Sequence, residues 1–406
     1  MAIQFRKNIS SLSIAELATL RAGFEKLYTY PPDDNRGFSF LAGMHGHPQF
    51  LCPHHLADFL PWHRAYLRVF ERALQRAADD STLMLPYWDW SAPRSRNIPG
   101  SVSVARYRSA RVMKPNPLHH STIPYEGVRD TTRSPAGSQV LTRIAAIGRA
   151  ALLEPSFTRF QTAIENAHDG LHGYVGGDMG VITWAAFDPI FWLHHSNVDR
   201  LWAQWQSTHP GARLPAQVEN NVLRGFRVRG RDVLDTEALD YAYATSSASA
   251  VLDPGAGLDV APMTQQFVVP KSTVSRAVIT LLGVAPPHDS LEVRVYIGGR
   301  GASASTTPAD RRYAGSMFVF GHGSCTGVDA GHCDWEERVD DTLLGPHHLA
   351  PFDSELDVTE AVRRAVAGAS GADAKVNVSV QVSDLAGDTL SVATLSFSEL
   401  RLVTEE

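Results

Sequence analysis

Cysteine is nearly absent. Three thiols in 406 residues, Cys52, Cys325 and Cys333, make no disulfide framework, so apolar cores must hold the fold and each cysteine needs its own explanation. Long apolar runs are missing too. No stretch is long enough to span a bilayer, and the opening MAIQFRKNISSLSIAEL lacks an apolar core of signal-peptide length. The sequence therefore predicts a cytoplasmic protein without membrane contact, unless a partner carries it out. Nor does one charge dominate. With 37 Lys and Arg against 43 Asp and Glu, the net charge of −6 argues against nucleic acid or an anionic membrane as partner. There is no internal repeat. A chain of this length, 44% hydrophobic, has room for about two to three domain-sized cores.

Histidine is what the chain has in quantity, 17 in all. His168 and His172 are four apart, which on a helix puts both imidazoles on one face. Gly173, Gly176, Gly177 and Gly180 then predict a loop, and Asp188-Pro189 a turn. The apolar run Ile190–Leu193 ends in His194-His195 and leads into the amphipathic stretch Val198–Trp205. A second dense segment, Phe38–Tyr66, holds His45, His47, His54, His55 and His63. It passes through Pro61, suited to a helix start, into a helix with Tyr66, Leu67, Phe70, Ala73 and Leu74 inside. Ser11–Leu27 reads as a first helix, with Leu12 or Ser13 at its cap and Glu16 completing a capping box. Leu83–Trp90 reads as buried aromatic packing. Residues 92–140, rich in Pro, Arg, Ser and Gly, predict long surface loops in which His119-His120 are exposed. Gln139–Leu153 and Ser156–His168 return to helical spacing.

After about residue 240 the composition changes. Residues 246–263 are Ser, Ala, Gly and Pro, a linker by chemistry. Beyond it the period becomes that of strands: Leu291, Val293, Val295 and Ile297 alternate with Glu292, Arg294 and Tyr296, and Val376, Val378, Val380 and Val382 with polar residues. Thr389–Val403 reads as a final strand pair after a turn at Gly387. The expected fold class is α+β, mainly a helical bundle over residues 1–245 followed by a smaller β-sandwich over 264–406.

Two triplets stand out, His45, His54 and His63, then His168, His172 and His195. Neutral imidazole suits copper, zinc or iron, so residue type alone does not choose. Glu165 and His168 form the chain's one Glu-x-x-His, whereas a di-iron bundle needs two. Zinc hydrolases commonly use one three-ligand site, not two matched ones. Cys52, two residues before His54, is placed either to bond to that imidazole or to pack as a buried cysteine.

Several motifs occur in order: Phe5-Arg6-Lys7-Asn8, the Cys52-x-His54 step, Phe59-Leu60-Pro61-Trp62-His63-Arg64, Pro86-Tyr87-Trp88-Asp89-Trp90, and the run from Asp188-Pro189 through His194-His195 to Asp199-Arg200-Leu201-Trp202. In these the chain resembles the type 3 copper proteins, that is tyrosinases, polyphenol (catechol) oxidases and molluscan haemocyanin units. The resemblance is strong over residues 5–206 and weaker through a C-terminal β domain of the kind that covers the copper site. It implies two copper ions as cofactor, one on His45, His54 and His63 and one on His168, His172 and His195, with dioxygen as co-substrate. It prefers His54 over His55 by the Cys-x-His step, and His195 over His194 as the second of its pair. It also implies a thioether from Cys52 to His54, an aromatic residue over the second copper at Phe191, and an acid that holds a water at Glu165. Asp199, one turn after His195, is a further candidate partner for an imidazole N–H. The implied reaction oxidises o-diphenols to o-quinones, a small phenol being the partner, with ortho-hydroxylation of monophenols put in doubt by Asp169, where many hydroxylating members carry Asn. The alternatives are an o-aminophenol oxidase and a haemocyanin-like dioxygen carrier. Cys325 and Cys333, with His322 and His332 between strands, read as a surface loop, a transient Cu(I) site met by a copper donor protein, or a disulfide.

Overall fold

The computed structural model describes residues 3–405 apart from 93–94, 96, 110–111, 245–262, 271–273, 300, 324–350, 368–372 and 391. The chain opens with β1 (Gln4–Arg6) and α1 (Ile14–Leu27). Ser13 caps α1, its hydroxyl accepting the Glu16 N–H while the Glu16 carboxylate accepts the Ser13 N–H. After α2 (Phe38–Gly43) comes α3 (Phe59–Ala78), with Pro61 in the first turn, where no intrahelical N–H is needed. Its inner face, Tyr66, Leu67, Phe70, Ala73 and Leu74, is buried as the spacing predicts.

The predicted loop region holds only small elements, α4 (Gly100–Ser103), the hairpin β2 (Arg106–Ser109) with β3 (Val112–Pro115), and the pair β4 (Thr122–Ile123) and β5 (Arg129–Asp130). Three long helices follow the pattern more closely: α5 (Ser138–Ala151), α6 (Phe157–Val175) and α7 (Ile190–Thr208). Helix α6 does not stop where the glycines begin. It runs on to Val175, because Gly170 and Gly173 form the flat strip against which the β domain packs. A Cβ on Gly170 would sit 2.7 Å from the Phe318 ring, and one on Gly173 would collide with Leu385. Last in this half come α8 (Ala216–Asn220) and β6 (Tyr241–Tyr243), which pairs in parallel with β1.

That pairing closes a buried charge network. Arg6 binds Glu71 through two hydrogen bonds of 2.9 and 3.0 Å and reaches Asp199 at 3.1 Å. Asp199 also accepts from Arg64 at 2.5 Å, Tyr241 at 2.6 Å and Tyr243 at 2.5 Å. Burial alone would raise the Asp199 carboxyl, but Arg64 and Arg6 hold it below the usual range. Asp199 is therefore no imidazole partner. Two guanidinium groups outcompete a neutral ring for one buried carboxylate, and the network ties the N-terminus to α3, α7 and β6.

The predicted linker lies, but for its last residue, outside the described residues, and β7 (Met263–Pro270) starts at its end. One sheet has the order β10-β9-β12-β13, with β7 also pairing with β12. Its members are β9 (Leu291–Ile297), β10 (Tyr313–Val319), β12 (Asp373–Asp384) and β13 (Thr389–Leu390). A second sheet sets β8 (Arg276–Val284) between β11 (Phe352–Asp357) and β14 (Glu399–Glu405). Both sheets share one core with Ala361 and Val362 of helix α9 (Thr359–Ala367), an element the strand pattern did not announce. Thr389–Val403 is not a strand pair, since β13 pairs with β12 and β14 with β8 of the other sheet. Nor is the polar side of β9 a solvent face. All seven β9 residues are buried, and Glu292 accepts from Arg143 of α5 at 2.8 and 2.6 Å. Among the described residues no helix is long and apolar enough to cross a membrane.

Candidate metal centre

Helices α3, α6 and α7 bring both histidine triplets to one place. His168 and His172 share a face of α6 as their spacing requires, and α7 presents His195 opposite them. Their Nε2 atoms converge, 3.0 Å between His168 and His172, 3.2 Å between His168 and His195, and 3.3 Å between His172 and His195. Nitrogens about 2.0–2.1 Å from one tetrahedral metal lie roughly 3.3–3.4 Å from each other. The spacing is thus close to that of ligands around an ion. In the first triplet His63 comes from α3, while His45 and His54 come from the segments before it. Ring centroids there are 5.0 Å apart for His45 and His54, and 5.8 Å for each with His63. The triplets adjoin. The His63 ring stacks on His195 at 4.3 Å, and His54 lies 5.4 Å from His168.

Tautomers follow from the partners. His63 Nδ1 lies 2.9 Å from the Phe59 carbonyl and His172 Nδ1 2.8 Å from that of Met179. A carbonyl only accepts, so both Nδ1 atoms carry the proton and both Nε2 lone pairs face inward, the form a metal needs. Burial lowers His54, His63, His168, His172 and His195, His63 and His172 to about 3, and keeps these rings neutral. His194 joins the second group geometrically, its donor atoms within 4.8 Å of the others, while Cys52 joins the first. Cys52 Sγ is 3.4 Å from His54 Nδ1 and 3.6 Å from Nε2. A sulfur facing the ring carbon between two nitrogens must be nearly equidistant from both. All six histidines are buried. Donor set, spacing and tautomers fit a metal pair, and neutral imidazoles without a carboxylate ligand suit copper.

A family model described as the common central domain of tyrosinase matches residues 35–208, the span from just before the first triplet to the end of α7. The chain carries a type 3 copper domain of the tyrosinase family, related to the molluscan haemocyanins. Hemocyanin 1 of Megathura crenulata is 35% identical over 238 residues, 54% of this chain but only 7% of that protein. The chain thus spans a small part of that relative's length. Among solved structures, deoxygenated hemocyanin from Rapana thomasiana matches at TM-score 0.71 and 20% identity, over 100% of this chain and 99% of that one. A tyrosinase from Burkholderia thailandensis matches at TM-score 0.68 and 17% identity, over 99% and 100%. At such identity these two show the fold, including the β domain that follows the copper domain.

Around the type 3 centre the other expected residues fall as follows. Phe191, fully buried, lies 4.1 Å from the His195 ring and 4.7 Å from His45. Glu165 is one turn before Asp169 on α6, and its carboxylate accepts the His55 N–H at 2.6 Å. Asp169 Oδ1 is 2.9 Å from His168 Nδ1. Burial pushes both carboxyls up, and the neighbouring Glu165 pushes Asp169 further. His119 and His120 belong to neither group. The fragment with Cys325, His332 and Cys333 lies outside the described residues.

No sequence motif pointed to Phe320. Just past β10, this β-domain residue stacks its ring on His172 at 4.3 Å and stands edge-on to His54 at 5.5 Å and His168 at 6.2 Å. The covering ring thus rests on the His172 side, whereas Phe191 is enclosed by the helical domain's own rings, including Tyr66 and Trp192. No local pattern marks Phe320, because its partners are well over a hundred residues away.

Proposed function

We propose that the chain oxidises small phenols with dioxygen, turning o-diphenols into o-quinones. The balance is two catechols and one dioxygen to two quinones and two waters. Two coppers held by His45, His54 and His63 and by His168, His172 and His195 would supply the two-electron exchange with dioxygen. The chain's own residues do the rest. The Nδ1 anchors on Phe59 and Met179 fix two of the rings. Phe191 gives an aromatic wall for a planar phenol. Glu165, pushed up to about 8 by burial, accepts the phenol proton once it is ionised, and Asp169 holds the His168 ring.

The observation that carries this reading is Glu165, a buried carboxyl beside the centre whose proton affinity is raised by burial. An oxygen carrier has no need of a base. A carrier is the second reading, supported by Phe320, whose ring lies where a phenol would stack against His172. Oxygen uptake by copper-loaded protein with a catechol, a monophenol and an o-aminophenol tests both. Uptake with catechol at more than one equivalent per chain is the expected result, and reversible oxygenation without turnover, in this protein and in Phe320→Ala alike, would leave the carrier. The monophenol and o-aminophenol arms settle which neighbouring activities accompany it.

Cys52 gives a separate expectation. We infer that the sulfur bonds to His54 once copper and dioxygen are present, the thiol and ring C–H giving up two hydrogens and dioxygen taking the two electrons. Intact mass should then fall by about two mass units on copper loading in air, and unfolded protein should not alkylate at Cys52. Full alkylation of Cys52 in active protein would exclude the bond.

A further inference from the structure

We propose that Phe352 of the β domain positions the Glu165 carboxylate through His55, so that the domain covering the metal centre also completes it. The proposal rests on the oxidase reading above. His55 is an unusual residue, with a backbone φ of 58° in the left-handed region that side chains other than glycine rarely adopt. Such a conformation persists only when its surroundings hold it. Two contacts do so from opposite directions. On the helical side, its N–H donates to Glu165 Oε1 at 2.6 Å. On the β side, its ring lies flat against Phe352, centroids 3.6 Å apart and planes 4° apart. The ring nitrogens then face the two carboxylates, 3.9 Å from Glu165 and 3.8 Å from Asp169.

A cavity of about 250 Å³ runs along this clamp, lined by His55, Glu165, Asp169, Phe352 and Glu355. It reaches Glu165, and neither Phe320 nor any of the six histidines lines it. The route has a use. A proton passed from a bound phenol to the Glu165 carboxylate leaves a phenolate behind and must then reach water while the substrate side is closed. Phe352 covers one face of the His55 ring where both line this cavity. Without it, the ring has open space on one face, the backbone can relax from the left-handed region, and the N–H that fixes Glu165 moves with it. Phe352 and His55 are thus positioning residues, and their loss should hurt most where the phenol proton is hardest to remove.

The test uses full-length, copper-loaded Phe352→Ala with catechol and with the more acidic 4-nitrocatechol. Catechol kcat/KM is expected to fall about tenfold, a part of the 10²–10⁴ that a positioned base contributes. 4-Nitrocatechol should change by less than about twofold, copper per chain should not change, and Phe352→Tyr, which keeps the stack, should restore both. Equal losses on the two catechols, or none on catechol, overturn the proposal. Hydrogen exchange at the His55 amide is the second readout, faster in Phe352→Ala and in the stack-free, volume-keeping Phe352→Leu. Unchanged exchange would also overturn it. If neither the unaltered protein nor Phe320→Ala oxidises either catechol, the oxidase reading fails, and the amide exchange still decides whether the clamp exists.

Discussion

His172→Ala is expected to halve the copper bound per chain and to abolish oxidation. The imidazole contributes one of three converging Nε2 atoms, 3.0 Å and 3.3 Å from the other two. Its Nδ1 anchor on Met179 leaves it one orientation. Alanine removes the donor without changing the helix, since it is the best helix former and the site is in the last turns of α6. A two-electron exchange shared between metals fails when one is missing. Turnover should drop by at least ~10³-fold, about 4 kcal/mol of lost transition-state stabilisation. Stability gives an independent check. Metal present at a thousand times its Kd adds about 4 kcal/mol per site, so the variant should lose about half of the copper-induced rise in Tm, measured from its own metal-free melting point. Metal analysis showing two coppers retained by an active His172→Ala would remove His172 from the ligand set, and with it the reading of α6 as half of the centre.

How much of this was legible in the sequence depends on how far apart the partners lie along the chain. His168 and His172 declare a shared face because a helix repeats every 3.6 residues, and Ser13 with Glu16 declares a cap because both halves lie within one turn. The β-domain alternation was readable for the same reason, yet it reports only that two faces differ. It does not say that the polar face of β9 meets Arg143 rather than water. Gly173 pointed to a loop by propensity, and tertiary packing overrode it: with Gly170 it leaves the bare helix surface that lets Phe318 and Leu385 approach. Asp199 had the right spacing to reach an imidazole, but Arg6 and Arg64, from distant segments, claim it first. Phe320 and Phe352 had no local signature at all. Each is one aromatic residue near a strand end, and its meaning comes only from the domain interface.

That interface makes Phe320→Ala the most telling gain of activity. The β domain is not loosely tethered over the centre. The Asn166 side chain on α6 pairs with the β10 backbone, donating to Ser316 O at 3.1 Å and accepting the Phe318 N–H at 2.7 Å. Ile182 N–H donates to Gly321 O at 3.0 Å, and Ser290 to Gly180 O at 2.8 Å. These bonds flank Phe320 on both sides and hold its ring, 5% exposed, against His172. A phenol that is to stack there must first expel it, at the cost of a buried ring's contacts, and burying a Phe side chain is worth about 1.5–3 kcal/mol. Alanine removes that competition while every interdomain bond named above involves backbone or other side chains and remains. Catechol kcat/KM should therefore rise by roughly 10–100-fold, the factor that 1.5–3 kcal/mol corresponds to, with most of the change in KM. Bulkier phenols should gain more than catechol, because the vacated space is the size of a benzyl group. The metal-free protein should lose some stability, since truncating a buried Phe costs up to about 3–5 kcal/mol where the site cannot relax. Copper content should stay at two per chain. The same variant separates the two functional readings. If the ring is what keeps a potential oxidase closed, its removal releases turnover. If Phe320→Ala binds dioxygen reversibly and still oxidises no phenol, occlusion was never the obstacle, and the centre is a carrier.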